Sequence, residues 1–212
     1  MTFSENCRVC PRLSGFLDQV RAEHPEYHAL PVSSFGVPGS NFLIVGLAPG
    51  MHGANRTGRP FTGDYAGNLL YGTLHKYGFA TSAEPLDAEG NANPVLSLRG
   101  CRITNAVRCL PPQNKPEPAE VRACNGYLAE ELAALPDGAA VMALGLIAHQ
   151  AVLMAMGLRK SEHVFAHAAR HALPGGLTLF DSYHCSRYNT QTKRLTTAMF
   201  EQVVGDVTRH VA

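Results

Sequence analysis

The residues with the clearest capacity for metal chemistry are cysteines. The stretch "CRVC" sets Cys7 and Cys10 apart by two residues, and Cys109 and Cys124 follow much later. Thiolates so spaced in a tight turn can grip one metal centre, and two distant thiolates can complete four-fold ligation. The set suits either zinc or an iron–sulfur cluster, and residue types alone do not choose. The plainer reading is a group of buried free thiols, because unpaired cysteine packs as a small apolar residue. Cys101, at a strand start, reads as core. Cys185 stands beside His184, where a nucleophile is conceivable, but nothing in the sequence marks it as activated.

A second concentration is the stretch "GLAPGMHGANRTGRPFTGD", residues 46–64, directly after the apolar run "NFLIV". The spacing of Gly46, Gly50 and Gly53 is not the dinucleotide fingerprint, and no Gly-Lys-Ser/Thr follows, so a nucleoside triphosphate cradle is poorly supported. Glycine and proline here suggest backbone amides held at fixed angles for close approach of a ligand. Arg56 and Arg59 can meet phosphate, Phe61 offers a flat ring, and Asp64 adds a carboxylate. The bland alternative is a surface loop with a buried Phe and a solvated Asp.

A third is "HCSRYNTQTKRLT", residues 184–196. His184 follows a strand-like run. Ser186, Asn189, Thr190, Gln191 and Thr192 carry donors, and Arg187, Lys193 and Arg194 add positive charge, a composition suited to phosphate contact. Asn105, in "ITNAVRCLPP", must satisfy its amide on backbone or on a ligand edge that presents adjacent donor and acceptor atoms. His163, His167 and His171 recur every fourth residue in "HVFAHAARH". That segment runs into "ALPGG" and then a strand, so it reads as a loop or hairpin. With no carboxylate partner expected nearby, structural histidines are preferred over metal ligands.

Elements must position these groups. Four β-like runs cover 41–46, 101–107, 139–145 and 177–183, and helix-like stretches cover 66–79, 116–135, 146–157 and 194–207. The alternation predicts an α/β fold: a central four-stranded parallel sheet between helical layers, a three-layer sandwich. Ligands in such folds sit at the carboxyl ends of the strands, so the loops 46–64, 108–116 and 184–193 should converge on one rim. Residues 80–100 read as a surface insertion, and the first 40 as an arm packed on one domain spanning 1–212. The length suits one domain. A net charge of +1 argues against a globally basic nucleic-acid coat, though not against a local basic patch. No apolar run approaches the roughly 20 residues that span a bilayer. The opening "MTFSENCRVCPRL" lacks an apolar signal core, which makes the cytoplasm the default expectation.

Taken in order, "CRVCPRL", "GLAPGMHGANRTGRPFTGD", "ITNAVRCLPPQNKPEPAEVRAC" and "SYHCSRYNTQTKRLT" resemble the uracil-DNA glycosylase superfamily, in its iron–sulfur-bearing bacterial and archaeal branches. The resemblance runs from Cys7 to about Thr197. The better-known thermophilic branch has Glu where this chain has Leu47, and "HGANRTGRPFTGD" with "NTQTKRLT" resembles the other branch, family five or type B. The chain departs from relatives at "HCSR", where a proline often follows the His.

The resemblance implies a structural [4Fe–4S] cluster on Cys7, Cys10, Cys109 and Cys124 that ties the arm 1–40 to the 109–124 segment. It implies a monofunctional enzyme in base excision repair that hydrolyses the N-glycosidic bond of uracil in double-stranded DNA, with hypoxanthine and 5-hydroxymethyluracil as further substrates. Asp64, Asn105 and His184 would carry catalysis. Gly46, Leu47, Gly50, Met51, Phe61, Asn105 and His184 would hold the base. Arg56, Arg59, Ser186, Arg187, Tyr188, Asn189, Lys193 and Arg194 would meet the DNA, with Arg187, Tyr188 or Arg194 as the wedge. The expected protein is a monomer without membrane contact, working by the nucleoid of a bacterium or archaeon. The competing reading is a non-catalytic iron–sulfur or zinc module that binds nucleic acid or senses redox state. A zinc hydrolase built on the histidines is a third.

Overall fold

The computed structural model describes residues 3–212. Along the chain lie α1 (Pro11–Glu23), β1 (Phe35–Gly36), β2 (Phe42–Gly46), α2 (Ala54–Thr57), α3 (Tyr65–Lys76), β3 (Cys101–Asn105) and α4 (Pro118–Ala133). Then come β4 (Ala140–Leu144), α5 (Leu146–Ala155), β5 (Arg170–Ala172), β6 (Thr178–Ser182), α6 (Arg187–Gln191) and α7 (Thr197–Val211).

Strands β2 and β4 are buried at every position, as strands covered on both faces must be. Their side chains part by alternation. Leu43, Val45, Val141, Ala143 and Leu179 enter a core with Leu13 and Leu17 of α1, Leu128 of α4 and Val152 of α5. Phe42, Ile44, Met142, Leu144 and Phe180 enter a second core with Leu70 and Leu74 of α3 and Phe200 and Val203 of α7. Helices therefore cover both faces of one sheet.

The sheet order is β1-β3-β2-β4-β6-β5. The four inner strands are mutually parallel, and β1 and β5 join the edges antiparallel. The expected four-stranded parallel sheet is thus corrected to a six-stranded mixed one. The added strands are two and three residues long, too short to show a period-2 pattern. From β2 the chain passes to β3 on one side, while β4 extends the sheet on the other. The crevice at the carboxyl ends near such a reversal is where ligands sit in open α/β sheets.

Two predicted features have clear local causes. Helix α4 starts with Pro118 in its first turn, and Glu117 and Glu120 form a reciprocal capping box. Residues 80–100 fold back on themselves through the bridges Ala80–Leu98 and Leu86–Ala92, with Leu96 and Leu98 buried. Among the described residues no helix is long and apolar enough to cross a membrane.

Candidate active site

The site grows from the carboxyl ends of β2, β3 and β6. Gly46 ends β2 opposite Asn105 of β3. A Cβ at Gly46 would overlap Asn105 Oδ1 and lie 2.7 Å from Phe61 Cζ, so the missing side chain lets carboxamide and ring meet. Asn105 is buried, and its Oδ1 has no hydrogen-bond partner. An orphaned buried acceptor costs about 1–3 kcal/mol and calls for a ligand or water.

Phe61 is held in a left-handed backbone conformation at φ 54°. That costs a residue with a Cβ about 1–2 kcal/mol. Its neighbours fix it: the Tyr71 hydroxyl donates to the Pro60 carbonyl at 2.7 Å, and Thr57 Oγ1 donates to the Thr62 carbonyl at 3.0 Å. The Phe61 carbonyl presses on Gly67, where any Cβ would overlap it. The Phe61 ring ends up 6.1 Å from the His184 ring, tilted by 31°.

Asp64 is the N-cap of α3, with Oδ1 accepting the Gly67 amide at 3.0 Å. Oδ2 lies on the side of Gly50 and Gly53, and a Cβ on Gly53 would stand 2.7 Å from it. Burial pushes the Asp64 carboxyl above its ordinary range, and backbone hydrogen bonds from Gly67 and Ala66 oppose that. His184 follows β6. Desolvation lowers its imidazole to about 4, so the ring is neutral near pH 7. Asp64, Asn105, Phe61, Leu47, Gly50 and His184 line one pocket of about 420 Å³, with Ser186 and Arg187 on the 184–187 side. The three polar loops do converge there, the middle one through Asn114.

Other expected residues lie elsewhere. Met51 packs on the α1–α5 core, and Gly46 supports the site from behind. Arg59 donates to the carbonyls of Asn93 and Pro85 and to Thr62 Oγ1, and its guanidinium stacks on Phe35. Arg56 donates to the carbonyls of His52 and Gly90. Both arginines are committed to their own chain and to the 80–100 insertion. The 184–196 loop is not irregular, as expected from sequence, but carries α6. Ser186 caps that helix, and Asn189 Nδ2 donates to the His184 carbonyl at 2.8 Å. Tyr188 stands 71% exposed at its surface. Arg187 stacks on Tyr65, and Arg194 on Tyr183. The sequence reading missed Ala48, Ala54, Tyr65, Ala66 and Asn114 as lining residues. Three are alanines, which carry no chemical signal.

Cys7, Cys10, Cys109 and Cys124 line a second, smaller cavity with Leu13, Val107 and Tyr127. The Arg108 amide donates to Cys124 Sγ at 3.4 Å, and the Tyr127 hydroxyl to Cys7 Sγ at 3.6 Å. Burial, reinforced by its three cysteine neighbours, pushes the Cys109 thiol up to about 12. Cys185 is fully buried and its thiol pKa is raised, chiefly by desolvation, which removes it as a nucleophile. The "HVFAHAARH" histidines do not share a helix: His171 lies on β5, and His167 Nδ1 accepts the Tyr183 amide at 3.2 Å. A carboxylate does stand near them, contrary to the sequence reading. It is Asp181 of β6, 3.1 Å from His171 Nε2.

The family model of the uracil DNA glycosylase superfamily matches residues 33–208, the part of the chain that builds this pocket, and the chain belongs to that superfamily. Within it the similarity is to type-5 uracil-DNA glycosylases. One from Thermus thermophilus is 49% identical over 208 residues, covering 96% of this chain and 93% of the relative. One from Mycobacterium bovis is 39% identical, covering 93% and 75%. One from Pyrobaculum aerophilum is 36% identical, covering 94% and 86%.

Proposed function

We propose that the protein is a monofunctional glycosylase that excises uracil from double-stranded DNA in base excision repair, hypoxanthine and 5-hydroxymethyluracil being further substrates. The observation that carries this reading is the unpartnered Asn105 carboxamide oxygen beside the Phe61 ring. A carboxamide accepts from an imide N–H and donates to the adjacent carbonyl, which is the edge of uracil. Phe61 supplies the stacking face, and the alanines at 48, 54 and 66 leave room for the extruded base.

Breaking the glycosidic bond leaves positive charge on the sugar and negative charge on the base. Asp64 Oδ2, not used in the cap, stabilises the sugar cation and orients water. Neutral His184 donates a hydrogen bond to the anionic base. Both act in a partly desolvated pocket, where fixed charges and dipoles are strongest. Among the described residues that line the pocket there is no lysine, and the reading is of hydrolysis by water rather than through a Schiff base. The face that meets DNA narrows to the α6 segment, Ser186, Arg187, Tyr188 and Asn189 with Lys193 and Arg194, and Tyr188 serves as the wedge.

The four cysteines fit a [4Fe–4S] cluster. They share an apolar cavity, and two receive hydrogen bonds of the kind that steady cluster thiolates. When bound, the cluster cross-links the 1–40 arm to α4 within one domain spanning 1–212, and the chemistry stays in the pocket. The protein acts as a monomer in the cytoplasm, where its DNA is.

The test is incubation of the purified protein with duplexes carrying uracil, hypoxanthine or 5-hydroxymethyluracil, followed by alkali. Strand scission at the uracil is expected. Intact duplex after binding points to a non-catalytic module instead.

A further inference from the structure

The inner end of the β5 hairpin holds a cluster that the glycosylase reaction does not use. Asp181 of β6 is wholly buried and sits between two imidazoles. His149 Nδ1 of α5 lies 2.8 Å from Oδ1, and His171 Nε2 of β5 lies 3.1 Å from Oδ2. All three ligand atoms fall within 4.8 Å of one another. Among the described residues, this is the only trio of His, Cys, Asp or Glu so placed.

The other nitrogen of His149 decides what the site needs. Nε2 lies 2.8 Å from the His163 carbonyl, which only accepts, so the proton of the neutral ring belongs there. That leaves the Nδ1 lone pair facing a carboxylate oxygen at 2.8 Å. A carboxylate oxygen at that distance calls for a cation on Nδ1, either a second ring proton or a metal ion in its place. A backbone carbonyl that fixes the tautomer of a ligating histidine is also the usual outer shell of a metal site. Both contacts are shorter than the roughly 3.3 Å between N and O ligands about 2.0 Å from one tetrahedral ion, so loading requires the rings to draw back by a few tenths of an ångström.

We infer that His149, Asp181 and His171 bind a divalent transition ion of the zinc class, as a structural staple that joins α5, the short edge strand β5 and β6. Two borderline imidazoles with one harder carboxylate make a ligand set that such an ion accepts. The His163 ring lies 5.7 Å from that of His171. Its position gives the staple a purpose. Strand β5 has only three residues and pairs on one side only, while β6 leads directly to His184.

The experiment uses the full chain as purified, with iron counted separately so that the cysteine site is accounted for. Co²⁺ is added as the probe, to the wild type and to His171→Ala, a change at the partly exposed edge of the cluster that leaves the buried His149–Asp181 pair intact. The wild type is expected to take up one more Co²⁺ per chain than the variant, with visible d–d absorption, no added thiolate charge-transfer band and unchanged iron. Zn²⁺ should compete for it, and should raise the melting temperature of the wild type but not of the variant. Equal uptake by both proteins, or absorption of thiolate type only, overturns the site and leaves a proton as the cation between His149 and Asp181.

Discussion

Asp64 reaches the amide of Gly67 at 3.0 Å with one carboxylate oxygen and leaves the other beside Gly50 and Gly53. One side chain thus starts a helix and supplies the free oxygen of the pocket. The two roles separate by substitution. Asp64→Asn keeps a good cap, so stability should hold within a few tenths of a kcal/mol, while base excision falls about 10²–10⁴-fold. Asp64→Ala should lose activity equally and about 1 kcal/mol of stability besides. Single-turnover kinetics and denaturant melts on both variants check this.

Two glycines in α3 should respond with opposite sign. A Cβ at Gly72 meets nothing within 4 Å, so Gly72→Ala should gain about 0.5–1 kcal/mol from helix propensity. A Cβ at Gly67 meets the Phe61 carbonyl, which cannot retreat without moving the stacking ring. Gly67→Ala should lose about 1–3 kcal/mol and weaken substrate binding. Paired thermal melts with KM measurements decide it.

The depressed His184 imidazole makes a statement about pH. Its folded value is about 4, below the ordinary value of 6.5. Between those limits the unfolded chain binds more protons, so stability rises with pH from 4 to 6.5 and then levels. The acid limb of kcat/KM should carry no His184 inflection near 6.5. Urea titrations of wild type and His184→Gln should show a shallower rise across that window in the variant.

Arginines that look alike in sequence should behave differently. Arg187→Ala should lower the salt dependence of DNA binding by about one unit of slope and leave stability unchanged. Arg59→Ala should leave the slope alone. It should cost about 2 kcal/mol, because the carbonyls of Asn93 and Pro85 lose their donor. In a chain of this size that is roughly 4–8 °C in melting temperature. Tyr188→Ala should reduce excision from duplex more than from single strands.

Replacement of Cys109 by Ser should remove most of the iron and its visible absorbance. It should also loosen the packing of α1 on α4, seen as faster hydrogen exchange over residues 11–23. Full iron content in that variant would exclude Cys109 as a ligand.

The inner sheet was legible because β2 and β4 are apolar runs of five residues bounded by polar loops, and the loops after the strands already grouped Phe61 and Asp64 with Asn105 and His184 on one rim. Direction was not legible. Arg56 and Arg59 carry the same charge whether they face DNA or residues 80–100, and only tertiary structure orients them. The edge strands were too short for a period. A signal was available for the His149 cluster: an aspartate in the middle of "LTLFDSY" puts a charge into a buried strand, and such a charge requires a partner.

The 184–196 segment is already folded before any duplex arrives. Ser186 caps α6, Asn189 ties it to the His184 carbonyl, and buried Leu195 anchors its exit. Little ordering entropy is left to lose on association beyond the rotamers of Tyr188 and Arg187, about 0.5–1.5 kcal/mol each. In the proposed complex the deformation therefore falls on the DNA. The sites such a rigid probe finds first are those where the double helix is already poorly stacked.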